Sequence, residues 1–324
     1  MSIIRPYALQ SYSIYAAQQH PLARLWDVED TEVPELLKIE RNLISIDELL
    51  RPILEQDDFI SSFGGTYINI FENHIVVNTV NYSKVDDLLA LPQIISHEAF
   101  LHFNEANNSM KFINATKPFN PKIFYADNFT APQNITRSRY VVNSRNLKVK
   151  VLGGDGLYND GLCSVGFWAA DRIISDKFYI ITAGHCTKVI PAFSIRNDDA
   201  DQYKELIVTD GAPVSSVGGH ICKSGYNTHF SCEYVFGVNG IYVVGEDLVR
   251  EDLIITDLYA LKSDSGATVL SYGSPQNLHS VVGHGIIMGG GTGIAVVQLL
   301  DTIFNELEIL SIYLKLYLKD SESS

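Results

Sequence analysis

The chain has 324 residues, a formal net charge of −14, 46% hydrophobic residues and a mean hydropathy of +0.06. This is long enough for two packed domains, and the acidity argues against nucleic acid and anionic membrane surfaces as partners, because neither attracts an acidic chain. No uninterrupted apolar run reaches the length of a membrane span, and no apolar segment after Arg5-Pro6 forms a legible secretion signal.

In chain order, Pro34 stands as a first helical residue, and Leu36, Leu37, Ile39, Leu43, Ile46, Leu49 and Leu50 recur at helical spacing up to Pro52. That spacing predicts an amphipathic helix. After Gly64-Gly65, residues 67–71 and 74–80 flank Glu72-Asn73 and read as two β-branched and aromatic strands around a tight turn. Residues 1–150 contain no cysteine and read as one α+β unit. Asn-x-Ser/Thr triplets at Asn81, Asn107, Asn114, Asn128 and Asn134 fit the glycosylation acceptor pattern and favour a secretory route. The polar stretch 143–150 predicts a boundary, with a second domain over 151–324. Short apolar runs at 178–182, 206–209, 240–244, 253–259, 281–287 and 294–299, separated by Gly, Asn and Asp, predict many short strands of a barrel or sandwich. Val297, Leu300, Ile303, Phe304, Leu307 and Leu310 recur as on one helix face and predict a C-terminal helix.

All four cysteines, Cys163, Cys186, Cys222 and Cys232, lie in the second domain, and an even count at these spacings argues for an oxidising compartment. The chemistry centres on two strings 80 residues apart, Thr182-Ala183-Gly184-His185-Cys186 and Ser263-Asp264-Ser265-Gly266-Ala267. A serine hydroxyl is a poor nucleophile until a base takes its proton, and an imidazole titrating near neutrality suits that task. His185 is the candidate base and Ser265 the candidate nucleophile. The adjoining glycines allow close backbone approach, so that the N–H groups of Ser263 and Ser265 can face the oxyanion of a tetrahedral intermediate.

The first string closely resembles the histidine motif of chymotrypsin-like serine proteases, and the second resembles a degraded form of their nucleophile motif. Leu162-Cys163-Ser164-Val165-Gly166-Phe167 is similar to a segment of the alpha-lytic protease and streptogrisin branch, whose cysteine pairs with the one after the catalytic histidine. The segment from Cys222 to Cys232 is similar to a small disulfide loop of the same branch. The resemblance runs from Val151 to about Leu300. It implies a mainly β fold of two antiparallel β-barrels with a C-terminal helix, and disulfides Cys163–Cys186 and Cys222–Cys232. It also implies a secreted endopeptidase that acts on protein or peptide substrates through an acyl-enzyme, with no cofactor and no metal. Tyr259 falls at the base of the implied specificity pocket, with Met288, Gly289 and Gly290 on its wall. No acid is placed there to receive Lys or Arg, so a neutral or apolar preference follows. Phe63-Gly64-Gly65-Thr66-Tyr67-Ile68, followed by Ile75-Val76-Val77, resembles the pro-region of the same branch. This implies a zymogen whose own pro-region is a folding partner. Val151-Leu152-Gly153-Gly154 is similar to the start of the mature enzymes.

The chain departs from the pattern at the third triad position. Only 36 residues separate His185 from Cys222, an interval that should hold three strands, a linker and the opening strand of the second barrel. The acids available are Asp198, Asp199, Asp201 and Asp210. Asp198 is the candidate orienter with Asp199 as the alternative, although Asn197-Asp198-Asp199-Ala200-Asp201 also reads as a solvated turn. Ser263 and Ala267 replace glycines of the family motif, and Met288 stands where the family places a serine that hydrogen-bonds the aspartate. Two function classes follow: a serine endopeptidase, and a catalytically inactive pseudoprotease that keeps the fold for binding.

Overall fold

The computed structural model describes residues 19–116, 151–158, 162–173, 178–182, 193–197, 200, 202–214, 216–244, 248–291, 293–309 and 311–318. The N-terminal unit begins with helices α1 (Pro21–Trp26) and α2 (Val33–Leu54). Of the expected apolar stripe of α2, Leu37, Leu43, Ile46 and Leu50 are buried, Leu36 and Ile39 are partly buried against the same core and Leu49 is exposed, while Val33 and Leu54 extend the buried face at its ends. The helix runs past the predicted stop, since Pro52 sits in its final turn. So near the C-terminus, the hydrogen bond its missing N–H forgoes is one of few that remain. Strands β1 (Phe63–Asn69) and β2 (His74–Thr79) form the expected antiparallel pair. Asn69 Oδ1 accepts the N–H groups of Phe71 and Glu72 in the turn, and Asn73 takes the left-handed conformation at φ 54°. Helix α3 (Val85–Leu89), strand β3 (Leu101–Glu105), which adds to β2 in parallel, and helix α4 (Met110–Thr116) complete the unit. The boundary expected at 143–150 lies outside the described residues.

The second half is built of strands β4 (Gly156–Tyr158), β5 (Leu162–Ser164), β6 (Phe167–Asp171), β7 (Phe178–Ile181), β8 (Ser194–Arg196), β9 (Glu205–Gly211), β10 (His220–Gly225), β11 (His229–Val244), β12 (Leu248–Thr256), β13 (Thr268–Ser274), β14 (Asn277–Gly291) and β15 (Ile294–Leu299). Helix α5 (Leu300–Ile309) and strand β16 (Leu314–Leu316) follow. The mainly β character and the C-terminal helix are as expected, but Val297 belongs to β15 and points into a sheet core, so the helix begins only at Leu300. Six strands close on themselves in the order β13-β10-β11-β12-β15-β14, with β14 returning to β13 and every pairing antiparallel. This is a barrel, and closure leaves none of its six strands as a free edge along its full length. Its interior takes residues from each strand: Ile221, Val235, Ile254, Val269, Ile287 and Val297, with Ala295. The preceding strands form smaller groups among the described residues: β16-β6-β7, β4-β5, and β8-β9, of which β9 joins β14 in parallel.

The two halves share one continuous apolar core that runs from Leu22, Leu37, Leu50 and Phe63 to Phe230, Leu270 and Tyr272. Within that contact the stripe of α2 also carries two acids, Glu40 and Asp47, exposed by only 2% and 1%. Both reach the segment leading into β10. Glu40 Oε1 accepts the His220 N–H at 2.7 Å and Oε2 meets His220 Nδ1, while Asp47 pairs with Ser216 Oγ at 3.0 Å and with Thr66 Oγ1. The Ile68 N–H donates to the Val217 carbonyl, and a Cβ on Gly218 would lie 2.7 Å from the Ile68 oxygen, so that position has room only for glycine. Burial pushes the Asp47 carboxyl above the usual carboxylate range.

Candidate active site

Ser265 sits in the connection from β12 to β13, in a turn closed by Asp264 N–H to Leu261 O at 2.9 Å and Ala267 N–H to Asp264 O at 2.8 Å. Next to it the Gly266 N–H donates to Ile287 O at 2.8 Å, and the Ile287 N–H donates to Ala267 O at 2.9 Å, which ties the turn to β14. Ser263 and Gly266 hold φ of 88° and 85°. Glycine adopts the left-handed region freely and serine does not, so Ser263 is strained where the family motif would carry no side chain. Among the described residues no acceptor claims the N–H of Ser263 or of Ser265. These are the two donors that the sequence reading assigns to the oxyanion.

Asp264 is fully buried, and its carboxylate accepts four donors, three of them from one neighbouring turn. Oδ1 accepts the N–H groups of Asn227 (2.8 Å) and Thr228 (3.2 Å), while Oδ2 accepts the Thr228 hydroxyl (2.6 Å) and the Leu261 N–H (2.9 Å). Charge-assisted bonds of this kind are the strong ones, and a buried carboxylate is tolerable only with them. The turn that supplies three of them is closed by the Cys222–Cys232 disulfide, across directly opposed residues of β10 and β11, as expected. Lys223, also fully buried, contacts the same Thr228 hydroxyl and the His229 carbonyl.

A third segment meets the Ser265 turn from β5. The Ser164 hydroxyl donates to the Ser263 carbonyl (3.0 Å) and accepts the Tyr226 N–H (2.9 Å), and its N–H donates to the Ser265 carbonyl (3.3 Å). Its own carbonyl accepts the Thr182 hydroxyl at 2.7 Å. The end of β7, from which the Thr-Ala-Gly-His-Cys string departs, is therefore fastened beside the serine turn. Gly166 makes this approach possible, because a Cβ there would collide with the Ile181 carbonyl oxygen and lie 2.9 Å from that of Gly266.

His185, Cys186, Asp198 and Asp199 lie outside the described residues, as does the side chain of Cys163, and with them the expected Cys163–Cys186 pairing. Asn197 opens the acidic run as a buried residue. Its Nδ2 donates to Tyr203 O and its N–H to Lys204 O, which anchors the leading end of the run. Asp210 lies in β9, exposed, where its carboxylate accepts the Gly211 N–H. Met288, Gly289 and Gly290 lie on β14 beside β15, and Met288 is the extra residue where the register slips between Ile287 and Gly289. Tyr259 is half-exposed in the connection before Ser265, its carbonyl 3.3 Å from the Thr228 hydroxyl oxygen, and no hydrogen bond joins it to those three residues. Ser164, Thr228 and the anchoring of Asp264 are contributions that the motifs did not announce, since single polar residues in Leu-Cys-Ser-Val-Gly-Phe or in a hairpin turn carry no periodic signal. Among the described residues no three His, Cys, Asp or Glu side chains converge as metal ligands, and no helix is long and apolar enough to cross a membrane.

No family model and no curated protein matches the chain. Solved structures do. A Nocardiopsis protease is 20% identical over 52% of this chain and 99% of its own, at a TM-score of 0.42. Thermobifida fusca protease A is 17% identical over 52% and 100%, also at 0.42. A chymotrypsin of Cellulomonas bogoriensis is 16% identical over 53% and 100%, at 0.40.

Proposed function

We propose that the chain is a serine-type endopeptidase made as a zymogen, with Ser265 as nucleophile and His185 as general base. The observation that carries this reading is the fastening of the β7 end to the Ser265 turn. His185 follows Thr182 by three residues, which span at most about 10 Å, and this short tether supports the pairing of His185 with Ser265. In the reaction Ser265 Oγ adds to the scissile carbonyl as His185 takes its proton. The N–H groups of Ser263 and Ser265 receive the oxyanion, and His185 then returns the proton to the departing amine. Water repeats the sequence on the acyl-enzyme.

The substrate class follows from β14. Ile287 is engaged by the Ser265 turn, but from Met288 to Gly291 the edge opposite β15 pairs with no strand among the described residues. An extended peptide can add there by main-chain hydrogen bonds, with its scissile bond led toward Ser265. This supports a protein or peptide substrate. The absence of an acid at Tyr259, Met288, Gly289 and Gly290 supports a neutral or apolar side chain beside the bond. The N-terminal unit acts as the pro-region and folding partner, since a closed barrel of non-local strand pairs forms slowly and α2 with β1 grips the strand that opens it. Residues 1–150 are thus the pro-region and 151–324 the protease domain, in a secreted and glycosylated protein joined by Cys163–Cys186 as well as Cys222–Cys232.

A second reading, an inactive pseudoprotease that binds peptides on the same edge, is favoured by the strained Ser263 and by Met288. A fluorophosphonate probe separates the two. Labelling that is lost in Ser265→Ala and in His185→Ala supports the enzyme, and an unlabelled wild-type chain supports the binding protein. The third position falls to Asp198 or Asp199 or is empty. A fall of about 10⁴ in kcat in Asp198→Asn or Asp199→Asn identifies the orienter, and little change in both shows that His185 works without one.

A further inference from the structure

We propose that Ser164 is a positioning residue that sets the Ser265 turn against the histidine segment, an inference that rests on the reading of Ser265 as nucleophile. Ser164 is fully buried, and its N–H, carbonyl and hydroxyl make four hydrogen bonds to three segments that are distant in sequence: Ser263 and Ser265 of the nucleophile turn, Tyr226 of the disulfide-closed turn, and Thr182 at the end of β7. The two carbonyls that it holds belong to the peptide planes on either side of the Ser265 N–H. The plane between them is fixed in turn by the Ala267 N–H on the Asp264 carbonyl. Three consecutive peptide planes are therefore immobilised, two of them by one serine, and the Ser265 N–H is an oxyanion donor whose direction depends on them.

The hydroxyl does two jobs that no other side chain at this point performs. As donor it fixes the Ser263 carbonyl, which belongs to a residue already strained at φ 88° and whose peptide plane is held on its other side by the Asp264 N–H on the Leu261 carbonyl. As acceptor it holds the Tyr226 N–H, one residue from the donors that this turn gives Asp264. Removing the hydroxyl loosens both sides of the nucleophile turn while the backbone bonds to Thr182 and Ser265 remain. The result is an enzyme that binds substrate normally and stabilises the transition state poorly.

The test is Ser164→Ala beside Ser164→Thr in the full-length chain, read by fluorophosphonate labelling rate and by kcat and KM on a peptide ester. In Ser164→Ala the labelling rate and kcat fall about 10-fold or more with KM unchanged, as expected of a displaced transition-state donor, and Ser164→Thr recovers most of the loss. Labelling at the wild-type rate in Ser164→Ala, with only the melting temperature lowered, overturns the proposal. Should Ser164→Ala not fold, Thr182→Val releases the Ser164 segment from the opposite side. It must slow labelling as well, and a wild-type rate there overturns the proposal equally. A wild-type chain that takes no label overturns the nucleophile assignment itself, so the two failures are distinct.

Discussion

Ser263 occupies a conformation that costs a side-chain-bearing residue about 1–3 kcal/mol, and glycine in its place forfeits about 0.4–1 kcal/mol through the unfolded chain. Ser263→Gly is therefore expected to stabilise the protein by about 1 kcal/mol, a rise of about 2–4 °C in a thermal melt, with Ser265 labelling retained. A lowered melting temperature would show that the side chain has a compensating partner. The opposite outcome is expected one residue on. Asp264 accepts four donors, so the amide nitrogen of Asp264→Asn must face at least one N–H or O–H, which costs about 2–4 kcal/mol and misplaces Ser265. Labelling of that variant at the wild-type rate would contradict the role given to the 226–228 turn.

At the level of elements, the β10–β11 hairpin bears on both stability and the site. Its disulfide closes a loop of 10 residues' separation, which corresponds to about 2–3 kcal/mol, and replacing both Cys222 and Cys232 by Ala should lower stability by that amount under non-reducing conditions. Helix α2 and the β1–β2 pair were legible because their side chains repeat at 3.6 and 2 residues, and such periods come from the chain itself. Glu40 and Asp47 were not legible as anything but breaks in the stripe. Their partners, Ser216 and His220, stand about 170–180 residues away, and no local pattern encodes a meeting at that range. The same reason hid Ser164, while the short glycine-flanked strings around His185 and Ser265 were visible because their chemistry is local. Glu40→Gln sets an amide N–H₂ against His220 Nδ1 or its backbone N–H and is expected to cost about 1–3 kcal/mol. Hydrogen exchange should then rise first in α2 and at the start of β10, and protection left intact there would argue against the pair as a latch.

Across the whole molecule, two histidines, His284 buried and His20 partly so, make stability depend on acidity. Burial pushes the imidazoles of His20 and His284 down from 6.5 to about 4. His284 donates from Nδ1 to the Ala212 carbonyl and accepts the Ser271 hydroxyl at Nε2, the neutral form. A depressed histidine contributes stability that is complete above pH 6.5 and is lost as the pH falls from there through 4, at up to about 3 kcal/mol each. Burial raises Asp47, which works in the opposite sense and offsets part of the loss. The melting temperature should drop between about pH 7 and pH 5, and less steeply in His20→Gln; a flat profile over that span would mean that both rings stay accessible to protons. The many short strands, the barrel architecture that the resemblance implied and the closing helix were readable at this scale, whereas the order in which the strands meet was not, because the return of β14 to β13 is a property of twist and register rather than of composition. One feature of the serine turn governs how such a molecule could be switched. Asp264 has no vacant lone pair for a freshly exposed α-amino group, so severing the chain between the halves cannot be what shapes the turn around it. On the proposed zymogen reading, dormancy then rests on a cover over Ser265, and a cut at one peptide bond should serve as well as a cut at the next, provided the cover departs.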